Sequence, residues 1–201
     1  MRLVAVDLEG SGSHERDRET ILQIAFVPLG PDLAPSAAEA FASYVNPERP
    51  ITPRPWLPHQ ITDQVVKGAP VLADIEPRIR GLVDGAHLVG HGVRSDWRLL
   101  EKTLPGLKPA GLVDTLKLAE RLHGRSGNTL TERVTAAGLG PAIDALAPAA
   151  GAHDAHWDAV AAALLLRHFA TTLGLTEVEA IVDAAAVKTK RPPDAVPTLF
   201  D

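Results

Sequence analysis

The stretch AVDLEGSG, residues 5–12, decides how the chain is read. Residues 2–8 are almost continuously apolar and rich in valine, the pattern of a central strand covered on both faces. That strand runs straight into Asp7 and Glu9, which flank Leu8 and so share one face of an extended chain. Two adjacent carboxylates repel and raise each other's pKa unless something positive sits between them. A bound metal ion is such a charge. An isolated Asp-x-Glu is more simply a strand ending at a solvated turn, so the reading depends on further ligands elsewhere.

Two other segments supply them. In LVGHGVRSDWRLL, residues 88–100, an apolar strand leads to Asp96 at the opening of a helix, where the dipole favours an anion. Taken alone, Asp96 is an ordinary helix-start residue. In HDAHWDAVAAALLL, residues 153–166, Asp158 is set into a helix that is otherwise almost wholly apolar. An acid on the core side of such a helix is costly if charged and unpaired. His153 lies five residues earlier, a rotation of about 140° on a continuous helix. The small residues before it place it instead on a loop able to reach over the site, with His156 as its neighbouring competitor. His14, His59, His87, His123 and His168 read as surface or capping residues. Four carboxylates from three segments, without cysteine, suit Mg²⁺ or Mn²⁺. Two such ions about 4 Å apart clamp the attacking and leaving oxygens of a phosphoryl transfer. A histidine beside them can take the proton of the attacking water.

The composition sets the frame. A chain of 201 residues that is 45% hydrophobic builds one well-formed core, expected over residues 1–187, ahead of a Pro-rich tail at 188–201. Its net charge of −5 excludes a strongly basic nucleic-acid binder but leaves room for a local basic rim. Arg94, Arg98 and Lys102, on or beside the Asp96 helix, are candidates for one. The lack of cysteine excludes disulfides and thiolate metal sites and fits a reducing, cytoplasmic setting. No signal peptide is evident, and no apolar run reaches the ~20 residues of a membrane span.

Along the chain, strands are expected at 2–8, at Thr20–Pro28, at FASYVNP (residues 41–47), within HLVGHG (87–92) and at the start of GLVDTLKLAERL (111–122). Helices are expected over Ala69–Val83 with a break at Pro77, over SDWRLLEKTL capped by Ser95, and after the strand at 111. Further helices are expected over Asn128–Ala137, Ala155–Phe169 and Thr176–Ala186, the last capped by Thr176. Residues 46–70 read as a loop with one short helical turn. Early strands followed by helix–strand units give an α/β mixed sheet with helices on both faces.

In this order the motifs resemble those of the DEDDh 3′–5′ exonucleases, the group that includes the proofreading subunit of the bacterial replicative polymerase, ribonuclease T and oligoribonuclease. DLEGSG (7–12) stands for the first motif, HGVRSD (91–96) for the second, and His153, Ala155 and Asp158 meet the third in full. LQIAFV (22–27), PHQITDQVVKGAP (58–70) and VDTLKLA (113–119) support the match, which spans roughly residues 3–170. The resemblance implies a ribonuclease-H-like fold with a five-stranded mixed sheet. It implies that Asp7, Glu9, Asp96 and Asp158 hold two Mg²⁺ or Mn²⁺ ions and that His153 is the general base. Leu8, Gly10, Ser11, His91 and Trp97 would line the substrate site, with Trp56 a further stacking candidate. The implied activity releases nucleoside 5′-monophosphates from nucleic-acid 3′ ends, single-stranded DNA first, in proofreading or repair. RNA 3′ ends, or a non-catalytic module binding nucleic acid or a polymerase, are the alternatives. Gly10, Gly92 and Ser95 depart from the pattern by removing side chains near the cleft, which bears on substrate preference and not on the metal ligands. The ending Val-Pro-Thr-Leu-Phe resembles peptides that dock sliding clamps, through Leu199 and Phe200, though the usual leading glutamine is missing.

Overall fold

The computed structural model describes residues 1–12, 19–52 and 57–187. His14, Trp56, Leu199 and Phe200 lie outside them. Three strands come first: β1 (Leu3–Gly10), β2 (Ile21–Leu29) and β3 (Phe41–Tyr44). A one-turn helix α1 (Asp63–Val66) and the helix α2 (Leu72–Val83) lead to β4 (His87–Gly90) and α3 (Arg94–Thr103). Then follow β5 (Gly111–Asp114), α4 (Thr115–His123), α5 (Leu130–Ala136), α6 (Gly140–Leu146), α7 (Ala155–Thr172), α8 (Val178–Ala185) and β6 (Ala186–Val187).

The strands form one mixed sheet in the order β3-β2-β1-β4-β5-β6. β1 pairs antiparallel with β2 and parallel with β4, so it is central and needs apolar side chains on both faces. Val4, Val6 and Leu8 enter one core with Ile79 and Val83 from α2, Val93 just ahead of α3, and Trp97 and Leu100 from α3. Leu3 and Ala5 enter the other, beneath α7. The sheet has six strands where five were expected. The extra one is the two-residue β6, antiparallel to β5 at the edge and too short to leave a periodic signal.

α7 is the pivot of the second core. Eighteen residues long, it is buried nearly all round, as a helix this uniformly apolar must be. The sheet covers one side and α4, α5 and α6 cover others. α6 was not anticipated: its seven residues, with Pro141 in the first turn and one fully buried side chain, Ile143, are too short for periodicity to emerge. Pro77 does not break α2. The helix runs through it because Ile79 and Val83 are buried beyond it, at the loss of one helical hydrogen bond.

Two expected caps are corrected. Val93, not Ser95, precedes α3, and the Ser95 hydroxyl donates to the Gly92 carbonyl at 2.9 Å. Glu177, not Thr176, precedes α8, with no side-chain cap. α5 carries a full capping box between Thr129 and Glu132. Among the described residues, no helix is long and apolar enough to cross a membrane.

Candidate active site

Where β1 leaves the cores, its α7-side face changes from Leu3 and Ala5 to Asp7 and Glu9. The first turn of α7 brings Asp158 to the same place. Carboxylate oxygens of Asp7, Glu9 and Asp158 all lie within 4.8 Å of one another. Asp96 reaches the group from the other side of β1, on the first turn of α3, and its Oδ1 accepts the Leu8 backbone N–H at 3.3 Å.

Their electrostatics follow from that crowding. Burial first, and then Asp96, Asp158, Glu9 and Asp154, push the Asp7 carboxyl well above its ordinary range. Glu9 is raised to about 8 by burial and by Asp158, Asp96 and Asp154. Asp96 is raised to about 7 by burial, against the opposing pull of the Leu8 N–H. Asp158 is raised least, to about 6, because burial is opposed by the backbone and side chain of His153. Hard oxygen donors that repel one another at contact distance are the donor set a divalent cation would stabilise. The residues present therefore fit Mg²⁺ or Mn²⁺.

His153 sits just ahead of α7, exposed, with φ of 68°, a left-handed conformation that few non-glycine residues adopt. Its place is fixed by the next residue. Asp154 caps α7, its Oδ1 accepting the His156 N–H at 2.9 Å. Asp154 Oδ2 accepts from Gln23 Nε2 at 2.7 Å, and Gln23 Oε1 accepts the Ala155 N–H at 3.2 Å. Gln23, only 5% exposed and paired across the sheet with Glu9, thus pins the start of α7 to β2. His156, the competitor, has a buried Nε2 with no partner.

A second brace holds the Asp96 side. Asp114 Oδ1 accepts both the Gly92 N–H at 2.8 Å and the Leu116 N–H at 3.0 Å, tying the β4–α3 turn to the start of α4. Gly92 takes φ of 82° in that turn, which explains a glycine where the motif has a larger residue. His91 does not face the cleft freely. Its Nε2 lies 2.6 Å from the Asn128 carbonyl and its Nδ1 2.9 Å from the Thr115 hydroxyl, so both ring nitrogens are used within the protein.

The other expected substrate residues divide. Leu8 and Trp97 are buried on the α3 side of the sheet, each 8% exposed, so neither presents its side chain to the acids. Leu8 contributes through its backbone instead. Gly10 accepts from His59 Nε2 at 3.1 Å, and a Cβ there would meet the Glu19 carboxylate at 3.0 Å and Leu99 at 3.2 Å, so a side chain would have to displace both. The Ser11 hydroxyl accepts the Thr20 N–H at 3.2 Å, closing the β1–β2 end. His59, expected to be a surface residue, is a wall of the site. Its Nδ1 accepts the Ile61 N–H at 3.0 Å, so the proton on the neutral ring sits on Nε2 and donates to Gly10. Burial lowers its pKa, and His153 lowers it further.

A family model described as an exonuclease domain of the ribonuclease T type matches residues 4–166. The chain belongs to this exonuclease family. It is 32% identical over 102 residues to a DNA polymerase III subunit epsilon-like protein of Rhodobacter capsulatus, and 27% identical over 139 residues to the 3′-5′ exonuclease DinG of Bacillus subtilis. These alignments cover 51% and 65% of this chain but only 14% of each relative, so the exonuclease chain spans a small part of their length. Exonuclease X, solved with 5′ overhanging duplex DNA, shares the fold with a TM-score of 0.68 at 24% identity, over 91% of this chain and 99% of that one. The nuclease domain of 3′hExo, a DEDDh family member solved with rAMP, gives a TM-score of 0.65 at 16% identity, over 88% and 94% of the two chains. The ribonuclease-H-like exonuclease fold expected from the motifs is thereby shown.

Proposed function

We propose that this exonuclease-family chain is a 3′–5′ exonuclease that removes nucleoside 5′-monophosphates from single-stranded 3′ ends, with DNA as the first substrate. The observation that carries this reading is the convergence of carboxylate oxygens of Asp7, Glu9 and Asp158 within 4.8 Å of one another. Asp7, Glu9, Asp96 and Asp158 would hold two divalent ions, which when bound supply charge neutralisation at the phosphate and a more acidic water.

The chain's own groups do the rest. His153, exposed at the α7 start, takes the proton of the attacking water on an imidazole nitrogen. The Gln23–Asp154 clamp fixes the backbone on which that imidazole turns. The Leu8 N–H orients the Asp96 carboxylate, and the His59 wall holds Gly10 and with it the end of β1 beside the terminal nucleotide. The deciding assay uses 5′-labelled DNA and RNA oligonucleotides of matched sequence in Mg²⁺, Mn²⁺ or EDTA. A metal-dependent ladder shortening from the 3′ end is expected, faster on DNA. No cleavage of either polymer by folded protein defeats the proposal and leaves a binding module.

A further inference from the structure

The cross-strand register extends the acid row outward. Glu9 pairs with Gln23, and Gln23 pairs with Tyr44 on β3. Residues directly opposite one another in a sheet project from the same face. Gln23 reaches Asp154 at the start of α7, so Tyr44 stands on the α7 side too, at the outer end of the row. Adjacent strands are ~4.8 Å apart, which puts Tyr44 on the order of 10 Å from Glu9, backbone to backbone. Stacked nucleotides rise ~3.4 Å per step, so a strand running outward from the acids along this row would meet Tyr44 two or three nucleotides upstream of its end.

Tyr44 is available there. At 38% exposure it is the only exposed Phe, Tyr or Trp among the described residues. Phe41, three residues earlier, faces the other side of the sheet beneath the Arg78 guanidinium, 5.7 Å from its ring centre. Trp97 is buried, and Trp157 is buried with its Nε1 donating to Asp144 at 3.0 Å. Burial first, and then the Asp154 carboxylate, raise the pKa of the Tyr44 hydroxyl. An aromatic ring at an open strand end, beside a phosphodiester site, has the chemistry of a base-stacking platform.

We propose that Tyr44 stacks a nucleobase upstream of the scissile phosphodiester and so makes the enzyme prefer single strands of several nucleotides over minimal substrates. This rests on the exonuclease reading above. It also supplies what Trp97 does not, since that side chain turns inward.

The test compares a dodecamer of single-stranded DNA with the p-nitrophenyl ester of thymidine 5′-monophosphate, which is too short to reach Tyr44. Tyr44→Leu should raise KM for the dodecamer about tenfold, the scale of one lost base–aromatic stack, and leave the ester unchanged. Tyr44→Trp should stay within about twofold of the parent on both. Equal losses on both substrates, or no change on the dodecamer, would overturn the role of Tyr44. A parent protein that is folded yet inactive on both would instead overturn the DNA exonuclease reading, and the platform with it.

Discussion

Val4, Val6 and Leu8 on one face of β1, and Leu3, Ala5, Asp7 and Glu9 on the other, share a single backbone and the same neighbours β2 and β4. The first face stays apolar to its end because α2 and α3 cover it throughout. The second turns acidic as soon as the strand reaches the level of the α7 N-terminus. One face is therefore optimised for packing, and the other stores like-charge repulsion that packing alone would not select. Substitutions on the two faces should have opposite signatures.

The largest expected effect is on the acidic face. Asp7→Asn should lower metal-dependent cleavage by roughly a thousandfold or more, since it removes a donor from the proposed metal site. The same change should raise the melting temperature in EDTA, because it relieves repulsion from Asp96, Asp158 and Glu9. A fall in both quantities would mean that Asp7 is mainly a structural residue. Next comes His153→Ala, expected to slow cleavage about 10²–10⁴-fold with little change in melting temperature. Full activity in that variant would move the base to another group.

The pH dependence sharpens the contrast. Glu9, Asp96 and Asp158 are raised to about 8, 7 and 6, so metal-free folded protein binds protons that the unfolded chain releases above about pH 4. Stability without metal should therefore fall as pH rises from about 4 to about 8. A divalent cation binds the deprotonated acids, so Mg²⁺ should raise the melting temperature more at pH 8 than at pH 5. Thermal scans across pH, with Mg²⁺ and with EDTA, measure this, and a metal effect independent of pH would contradict it. The smallest effect on cleavage belongs to the apolar face. Leu8→Ala should lose about 2–4 kcal/mol of stability by denaturant titration while changing kcat by less than about tenfold.

The acidic face was legible in the sequence because it breaks strong local patterns. Asp7 and Glu9 interrupt a valine-rich strand at i and i+2, and Asp158 interrupts an apolar helix. Their supports were harder to read. Gln23 meets Asp154 across 131 residues, and Asp114 meets Gly92 across 22, contacts fixed by strand register and not by any period. One signal for Gln23 was present: it is the lone polar residue in ILQIAFV, a strand buried along most of its length. His59 lay in the segment PHQITDQVVKGAP that supports the family match, but nothing in its local pattern set it apart from a surface histidine. Tyr44 gave no signal, since a tyrosine near a strand end is commonplace until strand register places it on the α7 side of the sheet. The inward packing of the Leu8 and Trp97 side chains was hidden for a related reason. Closeness in sequence to an acid does not set which face of the strand or helix a side chain takes.

The left-handed turn at His153 has a consequence for how this chain can change. Holding a non-glycine residue there costs about 1–2 kcal/mol, which a glycine would not incur. His153→Gly is thus a substitution that makes the protein sturdier while removing its proposed base. A glycine there would favour durability, whereas the histidine keeps an imidazole at the start of α7 at the expense of backbone comfort.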